Sequence, residues 1–246
     1  MSFKDHFSGH ADAYARYRPD YPSELFEYLA SLTPGHALAL DCATGNGQAA
    51  RGLAQHFELV VASDGSVAQL RNAHSNPRVH YVANLAERPA LRSGCADLVV
   101  AAQAAHWFDH ERFHPEVKRV LRPQGALALW TYGLAQVAPA IDEEVERFYR
   151  EVVGEYWPPE RRHIEARYRD LPFPWREVQA PTFRLRLQWD LGTFMGYLGT
   201  WSAVQRYTRA RGESPLPALR SRLAQVWDLP ERPVTWPLHL RVGRPS

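Results

Sequence analysis

Short apolar runs alternate with amphipathic stretches through the first half of the chain. The runs lie at 37–42, 59–63, 79–83, 97–102 and 125–131, with helix-like stretches between them at about 48–56, 66–74 and 110–121. Nearly unbroken apolar strands separated by helices predict a parallel sheet covered on both faces. Ahead of them, Ser23 stands where it can cap a helix over 24–31 that stops at Pro34-Gly35.

After Trp130 the alternation breaks. A helical stretch at 139–153 leads into Trp157-Pro158-Pro159, a basic segment and Pro172-Phe173-Pro174-Trp175. This reads as a helical cap of about 136–176 inserted into the sheet domain. Residues 182–189 alternate apolar and polar with the period of a strand that has one wet face. Helices are expected at about 191–208 and 215–227. A last alternating segment, 234–242, carries a proline that suggests a sheet edge or a bulge. The pattern predicts an α/β fold: a doubly wound, Rossmann-like, seven-stranded sheet, mostly parallel, with an antiparallel strand near the C-terminus. Residues 1–246 form one domain in this reading, with an N-terminal lid at about 1–34.

Composition narrows the function classes. The 246 residues carry 29 Lys+Arg against 27 Asp+Glu, a net charge of +2. That balance argues against a dedicated nucleic-acid binder, which needs a basic face for phosphates. No apolar run approaches the roughly 20 residues of a membrane span. The opening Met-Ser-Phe-Lys-Asp-His has no apolar signal core, so a cytoplasmic protein is expected. Cys42 and Cys95 form no disulfide framework and lack zinc-ligand spacing, so no metal is expected.

The sharpest local signal is Ala39-Leu-Asp41-Cys-Ala43-Thr-Gly45-Asn-Gly47-Gln-Ala-Ala50. An apolar strand runs into a glycine turn, and a helix starts at once. Glycines permit positive φ and close backbone approach to a ligand, and the helix start offers free N–H groups. Asp64 closes the next strand. In a doubly wound sheet both acids fall at the carboxyl ends of neighbouring strands, where ligands bind. Gly45-x-Gly47-x-x-Ala50 also fits a dinucleotide fingerprint, so an NAD(P)-dependent oxidoreductase stays open. Two features favour S-adenosylmethionine. Asp41 precedes the turn, placed to receive an ammonium group, and no basic residue lies between Asp41 and Gln48 to meet phosphates.

Asp41-Cys-Ala-Thr-Gly45-Asn-Gly47, Asp64, Cys95 through Phe108 and Val120-Leu-Arg-Pro-Gln-Gly125 together resemble class I S-adenosylmethionine-dependent methyltransferases. The resemblance implies that Asp41, Ala43, Gly45, Gly47, Asp64, Gly65, Ala86, Glu87, Gln103 and Trp107 hold the cofactor. A narrower similarity, to the small-molecule subgroup that includes trans-aconitate methyltransferases, rests on three segments. These are Tyr14-Ala-Arg-Tyr17-Arg18-Pro-Asp-Tyr21-Pro, Gln103-Ala-Ala-His106-Trp107-Phe108-Asp109 and Thr200-Trp201-Ser202-Ala-Val-Gln205-Arg206-Tyr207. The chain departs from the pattern at Ala43, where the family commonly has glycine, and at Asn84, where many relatives carry Asp. These departures keep a catalytically silent cofactor-binding protein open as a second alternative.

The resemblance points to methyl transfer onto a small molecule, with an organic-acid carboxylate as acceptor. Methyl transfer is an in-line displacement, and positioning alone is worth roughly 7–11 kcal/mol. An ionised carboxylate requires no base, and no triad or carboxylate pair stands out. The candidate catalytic residues are His106, as orienter or base, and Arg18. Tyr14, Arg18, Trp157, Arg161 and Arg162 are the candidate acceptor contacts, the arginines as forks that hold carboxylates in fixed geometry. Neither a nucleic-acid partner nor an oligomeric state is indicated.

Overall fold

The computed structural model describes residues 20–245. Helix α1 (Ser23–Ser31) packs beside a sheet whose first five strands are parallel: β1 (Leu38–Cys42), β2 (Leu59–Asp64), β3 (Val79–Ala83), β4 (Ala96–Ala102) and β5 (Leu121–Thr131). Helices α2 (Gln48–Leu53), α3 (Val67–Arg71) and α4 (His110–Val120) connect them. Then follow α5 (Pro139–Arg147), which runs into a wider π turn at Phe148–Val152, α6 (Arg161–Glu165), β6 (Arg176–Val178) and β7 (Phe183–Trp189). Helices α7 (Leu191–Gly199), α8 (Ser202–Arg211) and α9 (Leu216–Val226) lead into the long last strand, β8 (Arg232–Arg244).

Strand order is β3-β2-β1-β4-β5-β8-β6, with β7 paired to the first half of β8. The expected doubly wound arrangement is therefore present, and β8 is antiparallel to β5, β6 and β7. Seven strands follow one another in that order, as the hydrophobic pattern predicts, with β7 joined through β8 alone; one of the seven is not in that pattern. That strand, β6, has three residues, too few to carry a period-two signal. Pro237 lies opposite Arg184, just before β8 turns from β7 to pair with β5 at His239. It occupies a join between two ladders, where a missing N–H costs little.

The period-two rule explains how the sheet is buried on both faces. Ala39, Leu98, Val100, Ala126, Ala128 and Trp130 belong to one core, while Leu40, Val99, Ala101, Leu127 and Leu129 belong to the other. The first core receives Leu25 and Leu29 of α1, Ile141 and Val145 of α5, and the α7–α9 helices. The second receives Phe113 and Val117 of α4 together with Ile164, Tyr168 and Trp175. The segment between β5 and β6 thus spans both faces and wraps one end of the sheet.

Two helix boundaries differ from the pattern reading. Pro22, in extended geometry, takes the cap position of α1, and Ser23 is its first residue, with its hydroxyl donating to Glu24. The single helix expected over 191–208 is two. Thr200 turns its hydroxyl back to the Tyr197 carbonyl, and Trp201 is extended and buried between α7 and α8.

Candidate active site

The parallel strands end together, and their loops enclose a cavity of about 830 Å³. It opens where β1 and β4 lie side by side, the point at which strand order reverses. Its floor is the glycine turn. Ala43, Gly45 and Gly47 all have positive φ, 53°, 59° and 88°, so the turn exposes backbone rather than side chains. A Cβ built on Gly45 would meet only Gln69 Oε1, at 3.9 Å, and otherwise project into open space. On Gly47 it would strike the Tyr81 hydroxyl at 2.3 Å. Gly45 is thus needed for the cavity and Gly47 for packing behind it.

Asp64 closes β2 with both carboxylate oxygens engaged. Oδ2 accepts the Gly45 N–H at 2.8 Å and Oδ1 the Ser66 N–H at 2.7 Å. These bonds hold the turn against the end of β2. Asp41 is fully buried behind the turn. Its Oδ2 accepts the Thr44 hydroxyl at 2.5 Å, while Oδ1 has no hydrogen-bond partner. Burial, and secondarily the charge of Asp64, push its carboxyl up to about 7. Asn84 lines the cavity with another buried, unpartnered oxygen.

Gly65, Ala86 and Glu87 form one wall, and Glu87 accepts the Asp109 N–H at 2.9 Å, which ties the loop after β3 to the start of α4. Gln103, Trp107 and Phe108 form the other wall. Of the cofactor residues read from sequence, Asp41 and Gly47 support the cavity from behind and the remainder line it. Trp107 shields it as an aromatic wall.

A smaller cavity of about 60 Å³ adjoins the first through Gln103 and Trp107, which line both. Its other walls come from segments far apart in sequence: His106, Tyr132, Trp157, Arg161, Tyr197 and Trp201 among them. Arg161 Nε donates to the Tyr149 hydroxyl at 2.9 Å, which in turn donates to Glu165 at 2.5 Å. The guanidinium lies 4.4 Å over the Trp157 ring, and its outer nitrogens bond no described residue. The fork is held rigid with its donors unspent.

His106 is buried beside it, with Nδ1 2.9 Å from the Tyr168 hydroxyl. Burial, then the nearby charges of Arg161 and His163, bring its pKa down to about 3, so the ring is neutral at physiological pH. Arg162 is exposed and lines neither cavity, so the structure does not bring it together with Arg161. Successive residues of a helix point about 100° apart, so α6 presents one of the two inward and not both. Tyr14 and Arg18 lie outside the described residues. Tyr197, Trp201 and Tyr132 carry no local motif of their own. Their sign in the sequence was only an unusual density of aromatics along segments that converge in three dimensions.

Residues 40–129 match the family model described as a methyltransferase domain. A Dictyostelium discoideum protein named as a methyltransferase is 34% identical over 229 residues, covering 92% of this chain and 87% of that one. A methyltransferase of Aspergillus candidus is 31% identical over 213 residues, covering 76% of this chain and 64% of its own length. A solved structure from Anaeromyxobacter dehalogenans, described as a type II methyltransferase, superposes with a TM-score of 0.87 at 44% identity. That match covers 94% of this chain and all of the other. The fold, the glycine turn and these likenesses agree, and the chain belongs to the class I S-adenosylmethionine-dependent methyltransferases. It is an enzyme of that class, and the oxidoreductase alternative is set aside. Among the described residues no helix is long and apolar enough to cross a membrane.

Proposed function

We propose that this enzyme transfers the methyl group of S-adenosylmethionine to a carboxylate of a small organic di-acid, whose second carboxylate is held by Arg161. The observation that carries this reading is the Arg161 fork, with free outer nitrogens in an aromatic cavity continuous with the larger one. The resemblance to the trans-aconitate subgroup supports the same substrate class.

The larger cavity fits the cofactor on its own chemistry. Asp64 would accept the ribose hydroxyls, and the charge of Asp41, buried directly behind the glycine turn, would favour the cofactor's ammonium end. The open space at Gly45 admits a ligand against the backbone, and the Asn84 oxygen is a spare acceptor for an exocyclic amine. When bound, S-adenosylmethionine supplies a methyl group already activated on a sulfonium. The protein's part is alignment and exclusion of water. Arg161 neutralises one carboxylate and fixes its plane, and Trp107, Trp157 and Trp201 exclude solvent from the other. The acceptor carboxylate is ionised near neutrality, so no group has to remove a proton.

The test is a panel of small mono-, di- and tri-carboxylic acids incubated with enzyme and S-adenosylmethionine, with methyl esters detected by mass spectrometry. Di-acids are expected to react, and Arg161→Ala to raise their KM by roughly tenfold or more, the scale of a lost charged hydrogen bond. Preferred methylation of a neutral amine, phenol or thiol contradicts the carboxylate assignment.

A further inference from the structure

The Arg161 fork is braced from behind by two residues that line neither cavity, Tyr149 and Glu165. Helix α5 loosens into its π turn at Phe148–Val152, a local form frequent at functional sites. There the Val153 N–H reaches the Phe148 carbonyl at 3.1 Å, and two consecutive aromatic residues, Phe148 and Tyr149, are both buried against Trp201. The Tyr149 hydroxyl has a single proton, and burial pushes its pKa up to about 12, so the proton stays on at neutral pH. Glu165 Oε1 accepts that proton at 2.5 Å, and the Tyr149 oxygen accepts the Arg161 Nε–H at 2.9 Å. The direction is forced at both ends, because a guanidinium only donates and a carboxylate only accepts. The guanidinium is stacked as well as tied. It lies 4.4 Å over the Trp157 ring and 5.3 Å over the Tyr149 ring, and Trp157 Nε1–H donates to the Tyr149 carbonyl at 3.4 Å.

We propose that Tyr149 and Glu165 are positioning residues that hold the Arg161 fork with its two outer nitrogens toward the smaller cavity, and that this fixed fork is what selects an acceptor with a second carboxylate. The selection half rests on the organic-acid reading above; the brace does not. With Nε spent on Tyr149, an anion is met end-on by the outer pair, in the plane that the Trp157 ring and the Tyr149 hydroxyl set. An unbraced arginine loses rotamer freedom each time it binds an acid, whereas here that freedom is already lost in the free enzyme.

Two measurements test the two halves. The first needs no acceptor: hydrogen exchange of the Arg161 Nε–H in the full-length 15N-labelled enzyme, with the signal assigned by its loss in Arg161→Lys. Tyr149→Phe keeps the ring and its packing and removes only the hydroxyl; unchanged S-adenosylhomocysteine affinity serves as its folding control. Exchange should be slow in the unmodified enzyme and faster by roughly tenfold or more in Tyr149→Phe, the scale of one lost hydrogen bond. Glu165→Ala should speed it less. Equal exchange in the unmodified enzyme and Tyr149→Phe overturns the brace.

The second measurement compares succinate and glutarate with butyrate and valerate, which lack the second carboxylate. Tyr149→Phe should raise KM for the di-acids by roughly fivefold to tenfold with kcat little changed, and leave the mono-acids as they were. A double-mutant cycle separates positioning from packing. If Tyr149 acts through Arg161, Tyr149→Phe adds nothing to the KM of Arg161→Ala. Additive losses, or equal losses for di-acids and mono-acids, overturn the selection half. If none of the four acids is methylated while the Arg161 Nε–H shows the expected exchange, the organic-acid reading fails and the brace is supported on its own.

Discussion

The two cavities are built on opposite principles. The larger one is made by loops that each follow a strand of one parallel sheet, so its residues lie at fixed offsets from apolar runs. Asp41 is the last residue but one of β1, Asp64 ends β2, and Gln103 follows β4 directly. The smaller cavity is made where the segment after β5 meets helices inserted before β8, joining His106 to Trp157, Arg161 and Trp201 across about a hundred residues. One cavity is specified by the sheet and the other by what is hung upon it. The lesson is a division of labour. The sheet-built cavity suits a cofactor common to the whole class, while the inserted walls are free to set the acceptor.

The comparison breaks hardest at Gly45. Gly45→Val places a branched side chain at φ 59° and into the open cavity, where nothing of the protein opposes it. Cofactor binding measured by calorimetry should be abolished. The backbone strain costs about 1–2 kcal/mol of stability, so the fold should survive. Persisting affinity would move the cofactor away from the turn.

A smaller effect sharpens the role of Asp41. Its carboxyl sits near 7 because it is buried without full hydrogen bonding. A cofactor ammonium beside it stabilises the ionised form and lowers that value in the complex. The complex therefore binds fewer protons than the free enzyme below about pH 7, and affinity falls as pH drops through the free-state value. The slope should approach roughly tenfold per pH unit on the acid side and flatten above. Asp41→Asn should bind more weakly and lose the slope. A slope that survives in Asp41→Asn belongs to another group.

The smallest effect is at Ala43. An alanine at φ 53° carries the left-handed cost that glycine avoids. Ala43→Gly should stabilise the enzyme by about 0.5–1 kcal/mol in denaturant titrations, less whatever glycine loses in chain entropy. A destabilised variant would mean that the methyl group packs against something useful.

The sheet, its parallel strands and the glycine turn were legible because each is a local pattern: alternating or unbroken apolar runs, and glycines where φ must be positive. The short β6 was not, since three residues carry no period. The break between α7 and α8 was missed because Trp201 is apolar and continues the helical spacing while its backbone is extended. At the site, Asp64 followed from a strand end, and Gln103 from the family resemblance. Arg161 was named together with Arg162 because spacing alone cannot say which face of α6 turns inward. Tyr168 and Thr131 were invisible for a different reason. Their hydrogen bonds reach His106 and Gln103 across 62 and 28 residues, and no run of neighbours encodes such a pairing.

The division between the cavities is tested most directly by S-adenosylhomocysteine affinity in two variants. Asp64→Ala removes an acceptor from the sheet-built cavity and loosens the Gly45 and Ser66 amides that it holds. It should weaken binding by about 1.5–3 kcal/mol, the scale of charged hydrogen bonds. Arg161→Ala, in the inserted wall, should leave that affinity unchanged while impairing turnover of the proposed acid acceptor. An Asp64→Ala enzyme that is folded and binds normally, or an Arg161→Ala enzyme that loses S-adenosylhomocysteine, would contradict the account.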